Sequence, residues 1–215
     1  MTGIVERHFV VRRGQQLTYA TLGYNSLEAL VAVAAGLVAS SVALIGFGID
    51  SLIELTASLA GLWRLHADVD PTRRVTVERR ALRLVGACFL ALAAYVTYEA
   101  TTALLAHEAP ARSLTGIGLA AASLVVMPFL ARAKRRVAAQ LQSSALTAEA
   151  RQTEICAYLS AILLVGLGLY AVVGWWWADS AAALAMAPLI GWEGWQGIRA
   201  RTPCATCHDP ARAHS

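Results

Sequence analysis

Asp50 and Glu54 lie four residues apart in the middle of an apolar run, Ser41 to Trp63, that reads SVALIGFGIDSLIELTASLAGLW. On a helix, side chains at i and i+4 stack on one face, so the two carboxylates point the same way. Hard oxygen donors at that spacing can share a divalent cation. The surroundings favour that chemistry. At 1.5 Å of rise per residue the run is long enough to cross a hydrocarbon core of roughly 30 Å. One acid at the centre of such a span costs about 2.5–3.5 kcal/mol on insertion scales, and two cost more unless a cation or a proton visits them. A packing pair satisfied by hydroxyls of neighbouring helices is the plainer alternative.

A second group of polar residues opens a later apolar run, in Ala148-Glu149-Ala150-Arg151-Gln152-Thr153-Glu154-Ile155-Cys156. Gln152 and Cys156 are again an i, i+4 pair, Glu149 falls on the same face, and Glu154 points nearly the opposite way. If the two runs cross the membrane in opposite directions, Cys156 comes level with Asp50 and Gln152 with Glu54. The expected metal site is therefore Asp50, Glu54, Gln152 and Cys156, with Glu149 behind it. A free cysteine in an apolar helix is also commonly just a small buried hydrophobe. Glu28 lies about a third of the way into the first apolar run. It could back the site or line an entrance; the plainer reading lets it snorkel to the interface.

These residues need membrane helices to hold them. Of the 215 residues, 57% are hydrophobic and 15% charged, against about 25% charged in a soluble domain. The runs are rich in Ala, Leu and Val and lack the ten-residue alternation of a membrane β-barrel. The fold class expected is an all-α membrane protein with six transmembrane helices, at about Thr18–Ala39, Ser41–Trp63, Ala81–Ala106, Ser113–Ala131, Ser143–Val173 and Trp175–Ile198. Residues 1–17 read as an N-terminal segment without a signal peptide, 18–198 as one six-helix domain, and 199–215 as a short tail. Turns are expected at Ser40, Pro110 and Gly174. Small residues at Ala32, Gly36 and Ser40, and at Ala57 and Gly61, suit close helix approach.

Basic residues set the orientation. Arg7, Arg12 and Arg13, then Arg64 to Arg83, then Arg132, Lys134, Arg135 and Arg136, then Arg199, Arg201 and Arg212 all fall on one side; only Arg112 falls on the other. The positive-inside rule makes both termini cytoplasmic and sets Trp175 to Trp177 at the outer interface. The net charge of +4 is thus a topology signal rather than a nucleic-acid one. The expected location is a bacterial inner (plasma) membrane, as a multi-pass protein.

The tail carries Cys204, Cys207 and His208 in a Cys-x-x-Cys-His pattern. In the cytoplasm, haem attachment is not expected. Two thiols and an imidazole could instead capture zinc, or the cysteines could be incidental in an unstructured tail.

The run SSVALIGFGIDSLIELTASLAGLWRL resembles the second span of the cation diffusion facilitators, the zinc-transporter-type cation efflux family. LQSSALTAEARQTEICAYLSAILLVGLGL is similar to its fifth span, WWWADSAAALAMAPLI to the start of its sixth, and Tyr98-Glu99 to a pair late in its third. The resemblance runs from about Leu22 to Arg199. It implies a metal–proton antiporter exporting a divalent cation from the cytoplasm, assembled as a homodimer. It also implies the site on the second and fifth spans, where the family's His is Gln152 here, an Asp is Cys156 and another Asp is Glu54. Members often carry a cytoplasmic metal-sensing domain after the sixth span, which this chain is expected to lack.

The expected function is a secondary transporter exchanging a divalent metal for protons. Zinc leads the candidate cargoes, with Cd²⁺, Co²⁺, Ni²⁺, Fe²⁺ and Mn²⁺ open. The coupling needs no added machinery, because ligands must be deprotonated to bind metal and so release protons when it arrives. No permanently bound cofactor is expected. Partners are the metal cation, protons, the lipid bilayer and a second copy of the chain, with no nucleic acid. No phosphate loop or nucleophile elbow is present, so an enzyme is not expected. The alternative is a non-transporting membrane metal-binding or regulatory protein on the same fold, which Gln152 and Cys156 favour.

Overall fold

A computed structural model describes residues 2–66, 71–141 and 144–199, with side chains at 12–56, 58, 59, 83–140 and 149–199. Ala57 and Gly61 lie outside the described side chains, and the tail residues Cys204, Cys207 and His208 lie outside the described residues. The described residues form six helices: α1 (Thr2–Ala39), α2 (Val42–His66), α3 (Pro71–Ala106), α4 (Leu114–Leu141), α5 (Ser144–Val173) and α6 (Ala178–Arg199). Among the described residues, four stretches are long and apolar enough to cross a membrane: Arg12–Ala39, Arg83–Ala106, Leu114–Gln140 and Glu149–Val173.

Three helices, α1, α3 and α4, run well beyond the spans expected from hydropathy. α1 begins at Thr2, α3 at Pro71, and α4 continues to Leu141. The apolar pattern marks where lipid contact stops, whereas Arg, Gln, Glu and Ala sustain the helix itself past that point. Arg132, Lys134, Arg135 and Arg136 thus lie on α4 rather than in a loop.

The short connections are set by capping chemistry. Ser40 takes φ 52° after α1. Its N–H reaches Leu37 O at 3.4 Å, and that of Ser41 reaches Gly36 O at 3.0 Å. This is the paired 5→2 and 6→1 pattern of a Schellman cap. His107, with φ 55°, repeats it after α3: His107 N to Leu104 O at 3.3 Å and Glu108 N to Ala103 O at 3.0 Å. Gly174 at φ 76° ends α5, where its N–H donates to Tyr170 O at 3.1 Å.

The first turn of α2 has a partner for every backbone N–H that a helix start leaves open. Val42 and Ala43 donate to Asp179 Oδ2 at 3.0 and 3.5 Å. Leu44 donates to Ser41 Oγ at 3.1 Å, and Ile45 to Ser41 O at 3.1 Å. Ser41 Oγ in turn donates to Asp179 Oδ1 at 2.5 Å. An acid on α6 therefore caps α2, as the positive end of the helix dipole favours.

α2 is the inner helix, packed against α1, α3, α5 and α6, while α1 also meets α4, α3 meets α6, and α4 meets α5. Phe47, Leu44, Leu159, Leu163, Met186 and Ile190 fill the centre. Close approach depends on missing side chains, as at Gly36 and Gly86. A Cβ on Gly36 would lie 2.7 Å from Ile45 Cγ1, and one on Gly86 would lie 2.7 Å from Gly194 O. The outside is apolar, with Leu27, Leu30, Leu37, Val125, Phe129 and Val165 exposed, whereas Thr18, Thr21, Asn25, Glu28, Ser51 and Ser123 are buried. That inversion suits lipid as the surrounding solvent.

Candidate metal site

The site forms where α2 passes between α1 and α5. Asp50 and Glu54 sit on the buried face of α2, 3% and 4% exposed, and Cys156 on α5 is fully buried against them. Ligand atoms of Asp50, Glu54 and Cys156 lie within 4.8 Å of one another. Donors around one tetrahedral ion are separated by about 3.3–3.8 Å at usual bond lengths of about 2.0–2.3 Å, so the three side chains would draw together by roughly an ångström to share a cation. Gln152 lies one turn before Cys156 on α5 and is half-buried.

Glu149, expected behind the site, is paired with Lys134. Its Oε2 lies 3.5 Å from Lys134 Nζ and accepts from Thr18 Oγ1 at 3.2 Å. Lys134 also donates to Thr153 Oγ1 at 3.3 Å. The four residues tie α1, α4 and α5 together, with Glu149 two helical turns from Cys156. An acid beside a buried cation is held by that pairing, which is why Glu149 faces Lys134. Glu154, on the other side of α5, pairs with exposed Arg135.

Glu28 does not snorkel. It is 1% exposed, because its carboxylate is taken up inside the bundle. Ser51 Oγ donates to Glu28 Oε2 at 2.9 Å, Ser123 Oγ donates to Oε1, and Cys156 Sγ lies 3.8 Å from Oε2. Tyr24 OH, 2.8 Å from Ser123 Oγ, extends the chain of hydroxyls. Asn25, which the sequence reading passed over, donates from Nδ2 to Glu54 Oε2 at 3.0 Å. The signal for Asn25 lay in the spacing Thr18, Thr21, Asn25, Glu28, a polar stripe at helical period along an otherwise apolar span.

A family model for the cation efflux transmembrane domain matches residues 18–201. The chain belongs to the cation efflux family. With its membrane-spanning helices, it is an integral membrane protein built on a cation efflux domain. No curated protein matches the chain. Within this cation efflux domain, the buried acids of α2 and the thiol of α5 form the one cluster of three or more His, Cys, Asp or Glu donors among the described residues.

Proposed function

We propose that the protein exports a divalent metal cation from the cytoplasm in exchange for protons, carrying the cation between Asp50, Glu54 and Cys156. The convergence of their ligand atoms within 4.8 Å, in the middle of an apolar bundle, carries this reading. Gln152 supplies a neutral amide one turn away on the same face of α5. Carboxylate and thiol must lose their protons to bind metal, so arrival of the cation releases protons and re-protonation releases the cation. Alternating access of the helices around a central site turns that exchange into antiport.

The basic residues near the helix ends support cytoplasmic termini, and the location we infer is a bacterial inner membrane. The family suggests a homodimer. Zinc is the first cargo to test, followed by Cd²⁺, Co²⁺, Ni²⁺, Fe²⁺ and Mn²⁺. If Cys204, Cys207 and His208 hold metal, they do so apart from the transport site.

The test is flux in proteoliposomes loaded with a metal-sensitive and a pH-sensitive dye. Divalent metal and protons should move in opposite directions, and Asp50→Ala should stop both. Unchanged flux in that variant overturns the site. Binding without flux in the unaltered protein favours the second reading, a metal-binding membrane protein that does not transport, for which the weak amide ligand Gln152 speaks.

A further inference from the structure

The α1 stripe holds one polar atom that the bundle leaves without a partner. Among the described residues, Asn25 Oδ1 is the buried side-chain oxygen or nitrogen with no hydrogen bond, on a residue 1% exposed. Orphaned acceptors of this kind are rare and point to a missing donor or ion. Its position is informative. The amide nitrogen of the same planar group contacts Glu54 Oε2 at 3.0 Å, so the free oxygen sits beside the acidic cluster. The other buried polar groups on this face have partners: Thr18 and Thr21 donate to Gly14 O and Leu17 O of their own helix at 3.2 and 2.9 Å, and Glu28 accepts from Ser51 and Ser123.

Glu28 lies three residues on, on the same face of α1. Its Oε2 meets Cys156 at 3.8 Å and Ser51, the neighbour of Asp50, at 2.9 Å. A third carboxylate therefore borders the pair on α2, in contact with the thiol. Glu28, through Cys156 and Ser51, and Asn25, through Glu54, thus border the cluster of α2 and α5 from α1, and buried acids with an unpaired carbonyl oxygen beside them favour a cation.

We propose that α1 is a ligand-bearing helix: Asn25, through Oδ1, and Glu28, through its carboxylate, complete the coordination of the cation held by Asp50, Glu54 and Cys156. This rests on the transport-site reading above and extends it to a third helix. The donor set becomes four oxygens and one sulfur, without imidazole. Such a set suits a divalent first-row cation that accepts five or six mainly oxygen donors. It also offsets the weakness of Gln152, because the ligands that α5 does not supply come from α1.

Co²⁺ titration of the purified full chain in lipid nanodiscs, followed by its visible absorption bands, tests the proposal. Asn25→Leu and Glu28→Gln should each weaken Co²⁺ binding about tenfold or more and shift the bands, while Asn25→Asp, which keeps an oxygen at that place and removes the amide donor, should retain binding. Thermal midpoints identify variants that fail to fold, and for those Asn25→Ser and Glu28→Asp replace the larger changes. If Asn25→Leu and Glu28→Gln bind Co²⁺ like the unaltered protein while Asp50→Ala does not, α1 only packs and the proposal falls, with the transport site intact. Loss of binding in Asn25→Asp overturns the ligand role of Asn25 in favour of one that merely orients Glu54. Unchanged binding in Asp50→Ala would remove the site itself.

Discussion

Lys134 Nζ lies 3.5 Å from Glu149 Oε2, with the lysine side chain 1% exposed and the glutamate 19%. The pair joins α4 to α5, and Thr18 adds α1 through its bond to Glu149. Breaking a buried pair by removing one partner leaves the other charge uncompensated, at a cost of about 3–5 kcal/mol. Lys134→Met should therefore lower stability by about 3 kcal/mol, the low end because Glu149 keeps some access to solvent. The double variant Lys134→Met/Glu149→Leu should recover most of that loss. Thermal denaturation of both in detergent, set out as a double-mutant cycle, measures the coupling.

Asp179 reaches across from α6 to cap α2, accepting from Val42 N at 3.0 Å and Ser41 Oγ at 2.5 Å. Asp179→Ala opens two backbone donors at the start of the helix that carries the acids. The expected loss is about 0.5–2 kcal/mol, the usual range for removing a cap. Asp179→Asn keeps an acceptor and should lose less. A thermal midpoint for Asp179→Ala equal to that of the unaltered protein would contradict the capping role.

Gly86 and Gly194 bring α3 and α6 into backbone contact. A Cβ at Gly86 would stand 2.7 Å from Gly194 O, and one at Gly194 would stand 2.8 Å from Gly86 O. Backbone cannot swing aside as a side chain can, so Gly86→Ala should destabilise by about 1–3 kcal/mol, as overpacking does. Gly118→Ala meets nothing within 4 Å and should be neutral or stabilising by up to about 1 kcal/mol through helix propensity.

Cys156 is the soft donor among oxygens in the proposed site. Cys156→Ser should change the ratio of Cd²⁺ to Zn²⁺ transport in favour of Zn²⁺ by about tenfold. Acidifying the medium should weaken binding in both proteins, since each ligand must shed a proton to take metal. The serine variant has one fewer proton to lose, so its affinity should fall less steeply as pH drops. Competition titrations with a metal-sensitive dye across a pH series give the two slopes.

The pairing of the second and fifth spans was legible because i, i+4 spacing fixes a helical face before any packing is known, and Asp50, Glu54 and Cys156 needed little more. Asn25 was not legible in the same way. Its spacing from Thr18, Thr21 and Glu28 marks one polar face, but that the whole face, from Gly14 to Gly36, is buried shows only in the packed bundle. Lys134 was masked by its company. Amid Arg132, Arg135 and Arg136 it looks like loop charge, yet the burial of Ala131, Lys134, Val137 and Ala138 follows a helical period that turns this one cation into the bundle. For Glu28, depth along the span favoured snorkelling over backing the site, because the hydroxyls that take it up, on α2 and α4, come from distant sequence.

At the end of the bundle that holds the short turns, three connections are stitched to one another. Ala111 N donates to Ala39 O at 2.7 Å, Ser41 is bound to Asp179, and the His107 ring stacks on Trp176 with centroids 4.8 Å apart. Parting the helices there means undoing three different kinds of attachment together. A hairpin clasped at its closed end spreads most readily at its open one. Any opening of the bundle towards that rim therefore has to release this clasp first.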